Sequence, residues 1–337
     1  MRKILVTGGC GFIGHYLVKL LLKKGYEVSV IDNQERGNIG RLEDVKNDIE
    51  YYSGDIRNSH DVHESMGRGV DGIIHLAFIN GTKNFYSMPS KIIDIGIRGL
   101  LNVYDAAKYY GIKNLFIASS GEVYQKPSLV PTPEDVPLII PDVTNPRYSY
   151  GGTKILYELM GQHYRREEFD RVILFRPHNV YGKNMGTDHV IPELVKKIKN
   201  SDKEITLLGD GKQTRAFCYV DDFCDGVHTL LEKGEDGEIY HIGNDEEVTI
   251  EELCRRILKQ MNLDLEIKYS EAPQGETNRR CPDISKIKSL GYSPKINLDS
   301  GLNLVVEYAH EKKDYFVGLP SRIPYSFLSL LWDEKSI

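Results

Sequence analysis

The chain has 337 residues, 40% apolar and 27% charged, which fits a soluble globular protein built as one large α/β domain with a second lobe, or as two ordinary domains. A formal net charge of −6 gives no footprint for nucleic acid or an anionic membrane surface, so any phosphate-bearing ligand must be held by local arginines. The five scattered cysteines contain no C-x-x-C, which argues against a disulfide framework and a metal site, and no apolar run approaches the roughly 18 residues of a spanning helix.

The apolar run Ile4 to Val6 leads into TGGCGFIG, Thr7 to Gly14, and then into the helical pattern Phe12, Ile13, Leu17, Leu20 and Leu21. Strand, tight glycine turn and helix start in that order make an anion cradle. Gly8 permits the turn, Gly11 lets a pyrophosphate approach the backbone, and Gly14 lets the helix pack close to the strand. The spacing G-x-x-G-x-x-G is one residue wider in its first gap than the common dinucleotide fingerprint. Asp32 ends the next apolar run, where a carboxylate can accept from both adenosine ribose hydroxyls and would repel a 2′-phosphate, so NAD is expected rather than NADP. The first strand begins directly at the N-terminus, which leaves no room for a signal peptide, and a reducing cytoplasm is expected.

Further apolar runs at Ile73 to Ala77, Leu115 to Ala118 and Val172 to Phe175 alternate with amphipathic stretches, as in βαβ units of a parallel sheet, and place ligands at the carboxyl ends of the strands. Between them, Asp55 follows a short strand and faces either an adenine amino group or solvent. His75 reads as a hydrogen-bonded strand histidine rather than an acid or a ligand. Two long helical patterns, Ile92 to Tyr110 and Tyr148 to Phe169, can pair with those of a second subunit as a four-helix bundle. From Arg176 onward the elements shorten into a smaller lobe, with a strand near 238–243 returning to the sheet. This divides the chain into a dinucleotide-binding region, 1–178, a mainly substrate-binding lobe, 179–317, and a tail, 318–337, with an apolar cluster around Trp332.

In YGGTK, Tyr150 and Lys154 lie four apart at the start of a helical pattern, so both project from one face. A tyrosine is a poor base at neutral pH unless a neighbouring ammonium stabilises its phenolate, and this pair can then remove a hydroxyl proton. The spacing alone is common on solvated helix faces. What separates it from them is that it follows a dinucleotide fold and the strand-end motif SSGEVY, Ser119 to Tyr124.

TGGCGFIG, Asp32, Gly54-Asp55, HLAF at His75 to Phe78, SSGEVY, YGGTK, RPHNVYG at Arg176 to Gly182 and GDGKQTRAFCYVDD at Gly209 to Asp222 arrive in one order over residues 1–312. Together they resemble the NAD-dependent epimerase/dehydratase family, extended short-chain dehydrogenases/reductases acting on nucleotide sugars. The resemblance implies a Rossmann-type doubly wound α/β parallel sheet with a smaller C-terminal substrate-binding lobe, a homodimer, and transient oxidation at sugar C4 by bound NAD. It implies that Tyr150 takes the hydroxyl proton with Ser120 assisting, and that Lys154 tunes Tyr150 and holds the nicotinamide ribose. It extends the cofactor site to Phe12, Ile13, Asn33, Ile56, Leu76 and Ala77. For the nucleotide diphosphate sugar it implies Asn179 and Arg215 at the diphosphate, His189 and Val190 around the base, and Arg280 near the diphosphate and sugar.

Glu122 separates the chemistries. The 4,6-dehydratases carry Asp-Glu before Val-Tyr, the glutamate abstracting a proton beside the ketone and the aspartate protonating the leaving hydroxyl; here the pair is Gly121-Glu122, which keeps the base and lacks the acid. The leading expectation is therefore an epimerase. A decarboxylase or dehydratase using Glu122, a net 4-dehydrogenase, and a non-enzymatic NAD-binding regulator stand as alternatives, although a mere binding module has no need of Ser120, Tyr150 and Lys154. Where the family usually has Asn three residues before the helix glycine, this chain has Gly96 before Gly99, so the sugar site is expected to be reshaped or roomier.

Overall fold

The computed structural model describes residues 1–67, 69–271 and 277–312; the tail and its Trp332 cluster, and part of the 272–282 loop, lie outside the described residues. Five strands alternate with helices through the first half. β1 (Lys3–Thr7) runs into α1 (Phe12–Lys23), followed by β2 (Glu27–Asp32), β3 (Ile49–Ser53) and β4 (Gly72–His75). The long helix α2 (Pro89–Tyr110) then leads to β5 (Asn114–Ala118), α3 (Ser149–Glu168) and β6 (Arg171–Pro177). The last turn of the sheet is made by α4 (Val220–Lys233) and β7 (Ile239–Ile242).

The seven strands form one parallel sheet in the order β7-β6-β5-β4-β1-β2-β3, with the order reversing between β1 and β4. Apolar residues alternate between its faces. Ile4, Val6, Val28, Val30 and Ile74 face the layer containing α1 and α4, while Leu5, Ile31, Ile73, Leu115 and Ile117 face the layer containing α2 and α3. Near-continuous apolar strands are what a sheet covered on both sides requires.

The division of the chain after residue 178 is not clean. α4 packs on α1 and β7 hydrogen-bonds β6, so parts of the second half complete the sheet's own layers. What rises above the carboxyl edge is smaller: a three-stranded sheet containing Thr214–Ala216, Glu247–Thr249 and Arg279–Arg280, and a two-stranded one pairing Glu204–Leu208 with Glu266–Ser270. The middle strand of the first sets Arg215 opposite Arg280, which carries the late arginine back over the end of β5.

Candidate active site

A cavity of about 600 Å³ opens along the carboxyl edge of the sheet, at the point where the strand order reverses. Gly8, Gly11, Phe12, Ile13 and Gly14 line one end of it. Gly8 has φ +75°, and a Cβ there would stand 2.8 Å from the Ala77 Cα, while one on Gly14 would stand 2.2 Å from the Gly8 carbonyl oxygen. No larger residue fits either place. α1 begins at Gly11, which offers no side-chain cap, and its first turn carries no acidic residue, so its N–H groups and positive dipole end are left for an anion. Asp32 is pinned by the N–H groups of Cys10 (2.9 Å) and Gln34 (2.7 Å), leaving lone pairs for a ribose. Burial raises its carboxyl, against the two N–H groups and Arg41.

Asn33, Asp55, Ile56, Leu76 and Ala77 continue the same wall. Asp55 is not a solvated turn residue. Arg57 holds it at 2.7 Å and keeps its carboxyl below the usual range, and Asn33 donates to it at 3.1 Å. These residues fit a dinucleotide. Arg36 and Arg41 line the same cavity, Arg41 donating to the carbonyls of Cys10 and Asn184; both belong to the polar stretch after Asp32, which sequence reasoning passed over.

At the other end lie Ser120, Glu122, Tyr150 and Lys154. Ser120 follows β5 and caps a short 3₁₀ turn by accepting from the Glu122 N–H at 3.1 Å. Tyr150 and Lys154 project from the first turns of α3 and are 6% and 2% exposed. The phenol ring stacks on Phe85 at 4.9 Å and meets Phe78 edge-on at 5.1 Å. The expectation that the ammonium lowers the Tyr150 pKa is not met by this geometry. Lys154 donates instead to the Ala118 carbonyl at 2.7 Å, and its Nζ is 5.8 Å from the Tyr150 ring centre. Burial raises the phenol, a hydrogen bond with Ser120 lowers it and the Glu122 charge raises it further; burial likewise pulls Lys154 well down.

Arg280 pairs with both oxygens of Glu122, at 3.2 Å through Nη2 and more closely through Nη1. Burial pushes the Glu122 carboxyl up, but Arg280, helped by Arg147 and Arg215, outweighs it and keeps the glutamate ionised. Asn179, His189 and Val190 also line the cavity. Asn179 sits at φ +40° and spends its amide N–H on the Ala216 carbonyl. Arg215 does not reach the lining. It donates to the carbonyl of Thr214 on the strand beside Arg280 and acts on the site through its charge.

Gly96 reshapes the site without enlarging it. A Cβ there would stand 2.2 Å from Thr153 Cγ2 and 2.9 Å from Phe78 Cε2, so both side chains already fill the space an asparagine would use. Thr153 cannot turn its methyl away without giving up its 2.7 Å bond to the Ser149 carbonyl. Gly96→Asn is therefore expected to cost about 1–3 kcal/mol by overpacking, seen as a lowered denaturant midpoint; an unchanged midpoint would contradict this filling.

His75 is satisfied by partners on neighbouring elements, Thr7 Oγ1 of β1 at 2.9 Å and the Tyr157 hydroxyl of α3 at 3.2 Å. Burial pushes it down to about 3, and burial with Arg176 nearby does the same for His241. Unfolded histidines titrate near 6.5, so below that pH the unfolded chain takes up protons the folded one refuses. Stability should be level above about pH 7 and fall as pH drops from about 6.5 toward 3, by about 1.4 kcal/mol per pH unit for each such histidine. Urea midpoints at about pH 7.5 and about pH 5.5 test this, and equal midpoints would refute it.

A model of the NAD dependent epimerase/dehydratase family matches residues 4–243. The chain belongs to this family. It is an NAD-dependent enzyme of the nucleotide-sugar epimerase, dehydratase and decarboxylase type. It is 32% identical over 317 residues to UDP-glucuronic acid decarboxylase 1 of Xenopus tropicalis, covering 93% of this chain and 73% of that protein. It is also 32% identical over 310 residues to the putative UDP-glucose 4-epimerase of Methanocaldococcus jannaschii, covering 90% and 97%. The dTDP-glucose 4,6-dehydratase of Streptomyces venezuelae, solved with NAD bound, superposes with a TM-score of 0.84 at 29% identity, covering 93% of this chain and 98% of that one. The three relatives are named for three different net reactions. Among the described residues, no helix is long and apolar enough to cross a membrane.

Proposed function

We propose that this family member is a nucleotide-sugar epimerase that oxidises the sugar transiently at C4. The observation that carries the reading is the occupancy of the two positions that decide the net reaction. Glu122 is ionised and locked to Arg280, and the side-chain space at residue 121, where a dehydratase needs its acid, is taken by the imidazole of His178. Neither an acid to expel a hydroxyl nor an uncommitted Arg280 to receive a sugar carboxylate is in place.

Bound NAD supplies a hydride acceptor at the sugar carbon and returns the hydride. The protein's own part is proton transfer and orientation. Tyr150 acts as the base only as phenolate: its own proton must first leave, and its oxygen then takes the proton of the sugar hydroxyl, with the hydrogen bond to Ser120 steadying the phenolate charge. Lys154, anchored on the Ala118 carbonyl in the cavity wall, would hold the nicotinamide ribose, while Phe78 and Phe85 exclude water from the phenol. With Arg280 paired to Glu122, the positive charges of Arg147 and Arg215 suit a diphosphate.

Decarboxylation of a nucleotide uronic acid is the second reading, favoured by an ionised glutamate and a guanidinium lying together at the catalytic end of the cavity and by the vertebrate relative. Mass spectrometry of products formed with NAD in deuterated water, from a panel of nucleotide sugars and nucleotide uronic acids, decides. An unchanged mass with inverted C4 supports the epimerase. Loss of carbon dioxide, water or two hydrogens overturns it.

A homodimer through α2 and α3 is part of the same proposal. These helices pack against each other and leave Ile93, Leu156, Leu159 and Tyr164 at 40–51% exposure, which suits a four-helix interface. A monomeric mass in sedimentation at micromolar concentration would refute it. Five buried, unpaired cysteines fit a reducing cytoplasm.

A further inference from the structure

Four histidines are buried, and three of them are hydrogen-bonded within the protein, His15 to the Gly11 carbonyl at 2.9 Å. His75 is held by Thr7 and Tyr157, and His241 by the Tyr124 hydroxyl (2.6 Å) and the Asp283 carbonyl (2.8 Å). His178 differs. It is 2% exposed, yet neither Nδ1 nor Nε2 has a hydrogen-bond partner, and it lines the cavity. Buried polar atoms are rarely left unpaired, and such a pair of atoms on one ring points to a ligand that completes them.

The ring cannot turn elsewhere to find partners. Its backbone N–H is fixed on the Ile242 carbonyl at 3.1 Å, its Cβ rests against Gly243, and the rings of Tyr124 and His241 flank it, the latter at 4.6 Å. Where the ring borders the cavity it stands beside Gly121, which lines the same wall. A Cβ on that residue would lie 2.6 Å from the imidazole Cε1 and 2.7 Å from Nδ1, so the glycine and the histidine require each other. Gly121 lies between Ser120 and Glu122, which places the imidazole at the catalytic end of the cavity, away from the glycine turn.

We infer that His178 hydrogen-bonds the sugar of the substrate, offering one ring N–H and one ring nitrogen to polar substituents of that ring. Burial, His241, Arg280 and Arg176 together keep the imidazole uncharged, so it pairs with hydroxyl-like groups and leaves the diphosphate to the arginines. It is a specificity-determining residue, and the assignment rests on the nucleotide-sugar reading above.

The test is calorimetric binding in a Tyr150→Phe background, which prevents turnover, comparing a nucleotide sugar from the panel with the bare nucleoside diphosphate and with NAD. His178→Phe should weaken the nucleotide sugar by about tenfold or more, because a site built to hydrogen-bond loses its partner, while leaving NAD and the bare diphosphate unchanged; His178→Gln should keep most of the affinity. Unchanged sugar affinity, or equal losses for the sugar and the bare diphosphate, would overturn the inference. A parent protein that binds NAD but no nucleotide sugar would overturn the functional reading beneath it. Should His178→Phe not fold, ¹⁵N shifts of the histidine rings in the unsubstituted protein serve instead, with His178 identified by its absence from His178→Gln. Its ring nitrogens should shift with the nucleotide sugar and not with the bare diphosphate, and no shift with either would refute the role.

Discussion

Tyr150→Phe should retain the fold and bound NAD while turnover falls by about 10²–10⁴, the range a positioned proton-transfer group supplies. The substitution removes one oxygen and keeps the ring that stacks on Phe85 and meets Phe78, so packing is preserved. What disappears is the atom that shares a hydrogen bond with Ser120 and takes the sugar proton. Single-turnover rates with the substrate identified by mass spectrometry, together with NAD content by absorbance, make the comparison. Turnover within tenfold of the parent would remove Tyr150 from the chemistry. Loss of NAD together with activity would mean that the phenol holds the cofactor more than it holds the proton.

The second large effect concerns stability. Behind the catalytic end, Arg176 and Glu158 form a buried bidentate pair, Nε to Oε1 at 2.8 Å and Nη2 to Oε2 at 2.6 Å, with Ser119 donating to the same carboxylate and Arg176 reaching the Glu134 carbonyl and the Tyr124 hydroxyl. Their side chains are only 2% and 5% exposed. Removing one partner strands the other charge in a low-dielectric interior, so Arg176→Met or Glu158→Leu alone should cost about 3–5 kcal/mol. The double variant should recover much of that, since it leaves no buried charge behind. Chemical denaturation of the three variants completes the cycle. A double variant that loses as much as the two single losses combined would show the pair to be independent contributors.

Much of this arrangement is legible along the chain because it depends on local sequence. The glycine turn, Asp32 at a strand end and the four-residue spacing of Tyr150 and Lys154 each specify geometry within one turn or one strand. The parts that escaped depend on residues distant in sequence. Nothing around Gly96 announces that Phe78 and Thr153 converge on it from another strand end and another helix. The significance of His178 lies in what residue 121 lacks, and that pairing exists only once β5 and β6 lie side by side. The Tyr150–Lys154 spacing placed both groups on one face, but burial of that face, which governs both titrations, is a tertiary property. Arg280 reads as an arginine near the substrate, but that it meets Glu122, 158 residues away in sequence, is visible only in the fold.

The late return of the chain to the sheet has a consequence for how the protein can be made. β6 is an apolar strand buried along most of its length, and its outer partner, β7, is synthesised only after the intervening lobe has emerged. Until then β6 presents a bare edge of unpaired N–H and C=O groups, the kind of surface on which chains pair with one another. A polypeptide ended after Pro177 carries every glycine of the cofactor turn and the whole Tyr150–Lys154 helix, yet it should aggregate. The half that looks self-sufficient depends on the half that follows it.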